Sequence, residues 1–196
     1  MDFAQEINGH YLEYIDDGHI YLVDGIIVPS ITQVLKYKFG HKYDYVKKDV
    51  LDEAARKGTM VHEAIEMYCK EGKDSDLKEL RNYKFLAKRY KFKAIENEVP
   101  VILSIDDEPI AAGRLDMVLE MDGQIGGADI KRTSTLDKES VSLQLNLYRI
   151  AYRQCYGIEW EFLRAIHLRE DVRKFVNLPI NEEYTMNFIR EYMEAT

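Results

Sequence analysis

Residues 114 to 131 read Arg-Leu-Asp-Met-Val-Leu-Glu-Met-Asp-Gly-Gln-Ile-Gly-Gly-Ala-Asp-Ile-Lys, two apolar-rich, strand-like runs joined by Asp122-Gly123. An Asp-Gly pair supplies the two left-handed residues of a tight turn, so the dipeptide is a strong hairpin signal. A tight turn sets Met121 opposite Gln124, and successive steps outward bring Asp116 opposite Asp129 and Arg114 opposite Lys131. Strand side chains alternate, so these four charged groups project to one side of the sheet. Opposed carboxylates with β-carbons roughly 5 Å apart destabilise a sheet unless something lies between them, and a divalent cation is the obvious occupant. The Ile130 carbonyl, in the sheet plane, offers a third oxygen. Two carboxylates, a carbonyl and waters suit Mg²⁺ or Mn²⁺. Lys131 would then orient or deprotonate a water held by the cation, or neutralise charge building on a phosphate. The same residues also fit a surface hairpin that pairs crosswise, Asp116 with Lys131 and Asp129 with Arg114. Gly126-Gly127 would admit a bulge that moves the pairing by one.

The 196 residues fit one domain, 1–196, with a good core. Cys69 and Cys155 are too few for a disulfide framework or a cysteine-ligated cluster, which points to a reducing cytoplasm. No apolar run approaches a membrane span, and the start Met-Asp-Phe-Ala-Gln-Glu lacks a signal peptide's basic residues. The net charge of −8 argues against nucleic acid on its face, but the charge is unevenly spread. Seven cations and one acid lie between Lys78 and Lys93. Arg81, Lys84, Lys88 and Lys91 share helical spacing and form a candidate phosphate track, or else an ordinary solvated helix face.

Residues 10 to 28 have the alternation and Asp-Gly breaks of a small β-meander, followed by Pro29-Ser30 as a stop and helix cap; 1–42 is expected to pack on the core. A long helix is expected from about Tyr43 to Lys70, with Gly58 as a candidate break, and a basic helix over 75 to 95. Strands over 97 to 105 and in the hairpin follow. A helix spans 138 to 156 with Gly157 as its stop, strands 159–168 and 173–180 come next, and a helix over 183 to 194 closes the chain. The order predicts an α+β fold, helices covering a central mixed sheet.

Two further fragments carry candidate chemistry. His62 and Glu66 stand at i and i+4 beside an apolar stripe of Val61, Ala64, Ile65 and Tyr68; Gln144 and Tyr148 repeat that spacing in the 138–156 helix. Taken singly, each is readily an ordinary packing or half-buried residue.

In chain order the fragments are Gly58-Thr59-Met60-Val61-His62, Gly113-Arg114-Leu115-Asp116, Asp129-Ile130-Lys131 and Gln144-Leu145-Asn146-Leu147-Tyr148. Together they resemble the PD-(D/E)XK nuclease superfamily, in particular its RecB-like branch of phage-type exonucleases. The run from His19 to Thr32 also resembles segments preceding this core in small phage nucleases, so the resemblance spans most of 19 to 170. Leu115 stands where the motif's name has proline, and the cysteine quartet of the iron–sulfur members is missing, so no cluster is expected.

The resemblance implies a restriction-endonuclease-like core and a divalent-metal-dependent DNA nuclease. His62, Asp116, Asp129 and the Ile130 carbonyl would hold one or two ions of Mg²⁺ or Mn²⁺. Lys131 would be the catalytic lysine, with Gln144 and Tyr148 assisting at the phosphate. DNA, as a duplex end or a single strand, would meet Arg114 and the basic helix. Action on DNA ends is expected by analogy with phage relatives, with a non-specific or structure-selective endonuclease and a catalytically silent nucleic-acid-binding module as alternatives. No helicase motif accompanies the domain, so it would be free-standing or recruited by a recombination or replication protein, in the host cytoplasm if phage-encoded. Glu63, Glu66 and Glu98 are unplaced acids, Glu66 the first candidate for a further ligand.

Overall fold

The structure, a computed structural model, describes residues 2–43 and 45–196, and of residues 42 and 43 the backbone alone. Four short strands open the chain: β1 (Phe3–Ile7), β2 (His10–Ile15), β3 (Ile20–Val23) and β4 (Ile26–Val28). They form the expected meander, paired antiparallel in sequential order, with β1 as an added first strand. Asp24-Gly25, both at positive φ, turns β3 into β4, as the two central positions of such a hairpin require. Ser30 then caps α1 (Ile31–Phe39) in a reciprocal capping box with Gln33.

A 3₁₀ turn (Gly40–Tyr43) precedes α2 (Lys48–Glu71). The long helix thus starts later than its periodicity predicts, and Asp44 in the expected first turn lies outside the described residues. The expected break at Gly58 does not occur. A lone glycine inside a helix costs only about 1 kcal/mol, and Val61 and Ile65, buried against the sheet, anchor the turns that follow. Next, α3 (Lys78–Tyr90) ends at Lys91, whose left-handed backbone takes it off the helical line expected of the basic track.

The second sheet has the order β5 (Phe92–Ile105), β6 (Glu108–Met121), β7 (Gln124–Lys131), β8 (Phe162–Leu168), β9 (Arg173–Leu178). All its pairings are antiparallel except β7 with β8, which run parallel. Their crossover is α4 (Lys138–Tyr156), capped by Asp137 and stopped by left-handed Gly157, and α5 (Glu182–Ala195) closes the chain. The fold is α+β: a small antiparallel sheet, and a five-stranded mixed sheet flanked by helices. Among the described residues no helix is long and apolar enough to cross a membrane.

The β6–β7 hairpin keeps the tight-turn register, from Met121–Gln124 through Met117–Ala128, with no bulge at Gly126-Gly127. Those glycines answer a packing demand instead. A Cβ on Gly127 would run into the Trp160 ring and one on Gly126 into Phe162, so the pair lets the chain entering β8 lie directly on β7. The ladder's register shifts lie in β5–β6, between Ala94 and Glu96 and between Leu103 and Ser104. One core fills the space under α1, α4 and α5, a second lies under α2 and α3, and a third joins the meander to Ile102 and Ala112 of the large sheet.

Candidate metal centre

Beyond Met117–Ala128 the hairpin no longer pairs, and the Asp116 side chain fills the opening: its Oδ2 accepts a 2.6 Å hydrogen bond from the Ile130 backbone N–H. A carboxylate that replaces a ladder carbonyl is held without rotamer freedom, on the strand beside the one that carries the Ile130 oxygen. His62 reaches this oxygen from α2. Its Nε2 is 3.0 Å from the Ile130 carbonyl oxygen and its Nδ1 is 3.5 Å from Asp116 Oδ1. Val61 and Ile65 are buried in the core of α2, which fixes the rotation of the helix and hence the aim of His62.

Glu98 completes the cluster. It lies between the ladder pairs Asn97–Met117 and Val99–Leu115, directly across from Asp116, with left-handed backbone at φ 54°. A non-glycine residue in that conformation inside a strand is strained and needs its surroundings to hold it there. One ligand atom from each of His62, Glu98 and Asp116 falls within 4.8 Å of the others. Burial, and next the charge of Asp116, push the Glu98 carboxyl up to about 7; Arg114 and His62 oppose that rise. The Arg114 Nε sits 2.6 Å from Glu98 Oε2, and its guanidinium lies 5.5 Å over the Tyr14 ring of the meander.

Asp129 is placed differently from the expectation that it faces Asp116 across an open gap. Its side chain is 4% exposed and committed to Lys131, whose Nζ donates a 2.8 Å hydrogen bond to Oδ1 and lies 2.7 Å from Oδ2. Lys131 also donates to Gln144 Oε1 at 3.0 Å. Burial raises the Asp129 carboxyl above its ordinary value while Lys131 pulls it down. Asp129 and Lys131 therefore meet α4, one step along the sheet from the His62–Glu98–Asp116 group.

Tyr148, one turn beyond Gln144, is buried; its hydroxyl donates to the Arg114 carbonyl at 3.2 Å, and burial holds the phenol far above its usual range, so it stays a donor. A Cβ on Gly113 would sit 3.0 Å from Tyr148 Cε1 and 3.1 Å from its hydroxyl oxygen. The glycine and the tyrosine of two separate sequence fragments are thus a single contact.

His62, Glu98, Asp116 and Tyr148 border a cleft of about 1060 Å³ between the meander, α1, α2 and the β5–β6 ladder, which Glu63, Glu66 and Arg114 also line; Asp129, Lys131 and Gln144 do not line it. Glu66 is turned to Lys70 at 2.6 Å. Of the expected DNA contacts, Arg114 lines the cleft, whereas Arg81, Lys84, Lys88 and Lys91 do not. The reason is packing: α3 lies over β8 and β9, and its buried Glu79 is tied to Arg132 at 2.8 Å. Lys84 is moreover paired with Asp74 at 2.6 Å. The sequence contains one signal for Glu98, an acid on the strand neighbouring Asp116, but nothing that ranks it above Glu63 or Glu66.

No family model matches the chain, and no curated protein does. A solved structure described as "Crystal structure of SSO0001" aligns over 86% of this chain and 76% of its own, at 14% identity and a TM-score of 0.44.

Proposed function

We propose that this chain is a divalent-metal-dependent deoxyribonuclease on a restriction-endonuclease-like core, hydrolysing phosphodiester bonds at DNA ends in a cytoplasmic setting. The observation that carries the reading is the convergence of His62, Glu98 and Asp116 beside the Ile130 carbonyl, with Lys131 held one step away by Asp129 and Gln144. A histidine, two carboxylates and a carbonyl form the oxygen-rich donor set that Mg²⁺ or Mn²⁺ accepts, and the opposed acids Glu98 and Asp116 are relieved by a cation between them.

Such an ion, when bound, supplies Lewis-acid polarisation of the phosphoryl group and acidifies water. The chain's own residues do the rest. His62, Glu98 and Asp116 form the binding set, and the Ile130 N–H holds Asp116 in position. Asp129 and Gln144 aim the Lys131 ammonium, which neutralises the charge gathered on the phosphate during attack. Arg114, which lines the cleft, would meet a neighbouring phosphate. Tyr148 packs on Gly113 and holds the Arg114 backbone.

The test is incubation of end-labelled linear duplex and single-stranded DNA with Mg²⁺, Mn²⁺ or chelator. Cleavage with either metal, lost in chelator and in Asp116→Asn, is expected. Cleavage that survives chelator or that substitution overturns the mechanism; uniform digestion of covalently closed circles and linear DNA overturns the preference for ends.

A further inference from the structure

We infer that the face of the large sheet under α3 carries a second binding site, for single-stranded nucleic acid, built from Phe85, Tyr90, Arg164, Arg173 and Phe175. None of these residues lines the cleft, and the inference stands without the proposed cleavage.

Register places Arg164, Arg173 and Phe175 on one side of β8 and β9: Ile166 pairs with Phe175, and Arg164 and Arg173 each lie two residues from that pair. The Arg173 guanidinium sits 3.8 Å over the Phe85 ring, and Arg164 lies 5.0 Å over Phe162 and 5.5 Å over Phe175. Phe175 in turn packs at 4.8 Å against both Tyr90 and Phe92. Phe85 and Tyr90 remain 46% and 44% exposed, so each has ring surface left open to solvent.

The charges are the second observation. Five arginines of this acidic chain are matched by carboxylates, Arg56 by Glu53, Arg114 by Glu98, Arg132 by Glu79, Arg149 and Arg153 by Glu159 and Glu182, whereas Arg81 and Arg190 meet a backbone carbonyl and an asparagine. Among the described residues Arg164 and Arg173 have no such partner; Arg164 donates instead to the Leu163 carbonyl and to Asn177. Lys88 and Arg89, three and four residues past Phe85, extend the cationic surface on α3. Glu170 and Asp171 bound it at the β8–β9 turn, and Glu170 is drawn away by Lys78 at 3.6 Å and Arg132 at 3.8 Å.

Half-open rings interleaved with unmatched guanidiniums suit a strand whose bases are free to stack and whose phosphates follow the cations. A duplex buries its base faces and gives the rings nothing to stack on. An acidic protein segment would use the charges but not the rings.

The experiment is fluorescence anisotropy of a labelled oligothymidylate of roughly 15 nucleotides, a length on the scale of known stacking platforms, with the full chain in chelator at low salt. Phe85→Ala and Arg173→Gln should each weaken binding roughly 10-fold with thermal midpoint unchanged, and a duplex of equal length should bind more weakly. Absence of binding by the parent chain overturns the proposal. So does affinity within about twofold of the parent in Phe85→Ala, Arg164→Gln and Arg173→Gln together, and loss in the arginine variants alone points to a purely electrostatic surface for an acidic partner. Because chelator removes cleavage from the assay, failure of the nuclease reading leaves this result untouched, and the reverse holds too.

Discussion

Glu98 stands directly across the β5–β6 ladder from Asp116, so two carboxylates share a partly buried wall with His62 beside them. Burial and the Asp116 charge hold Glu98 at about 7 against an ordinary 4.5. The folded protein therefore keeps a proton between those values that the unfolded chain has released. Its stability falls as pH rises through that window, by up to about 3 kcal/mol, and is level above it. In chelator, thermal midpoints measured from pH 5 to pH 8 should decline less in Glu98→Gln than in the parent. Equal slopes would show that the proton resides elsewhere.

A cation that binds only the folded state stabilises it, by about 2.7 kcal/mol at a hundredfold excess over Kd. Mn²⁺ or Mg²⁺ at pH 8 should accordingly raise the thermal midpoint of the parent chain and leave Glu98→Gln and Asp116→Asn unmoved. Calorimetric titration with the metal alone reads the same site without DNA. An undiminished response in both variants would place the cation elsewhere.

Lys131→Met strands Asp129, 4% exposed, without its ammonium. Breaking a buried pair from one side costs about 3 kcal/mol or more. With its cation gone, Asp129 binds its proton more tightly when folded than unfolded, so the loss should be smaller at pH 5 than at pH 8. The double variant Lys131→Met/Asp129→Asn should regain much of the stability and none of the cleavage. Denaturant midpoints and the nuclease assay separate the two effects.

Gly113→Ala would set its new Cβ 3.0 Å from Tyr148. Both groups are enclosed, so roughly 1 to 3 kcal/mol of overpacking is expected. Tyr148→Phe, which loses one hydrogen bond, should cost about 1 kcal/mol. Tyr148→Leu combined with Gly113→Ala should be less destabilising than the sum of the single changes, a coupling that a double-mutant cycle measures. Strict additivity would mean that the ring moves aside freely.

Much of the architecture is legible in the sequence because it is local. Asp122-Gly123 sets the hairpin register, Ser30 with Gln33 starts α1, and Gly157 ends α4. Strand β1 is not legible in that way, because Phe3-Ala4-Gln5-Glu6-Ile7 lacks a period-two alternation of apolar and polar residues and the strand pairs only at one edge of the meander. The continuity of α2 through Gly58 is equally invisible, since the buried contacts that hold it come from the distant sheet.

The candidate site divides along the same line. By itself the amino-acid sequence determined which chemistry is present: His62, Asp116, Asp129, Lys131, Gln144 and Tyr148, each placed by the period of its own helix or strand. Only the tertiary structure decided how these groups are arranged. It seated Asp129 under α4 with Lys131, brought Glu98 across from Asp116, and carried the basic helix α3 away from the cleft. Helix and strand periods determine which face a side chain is on, but distances between faces depend on packing and on where a ladder opens. Those are properties of the assembled sheet.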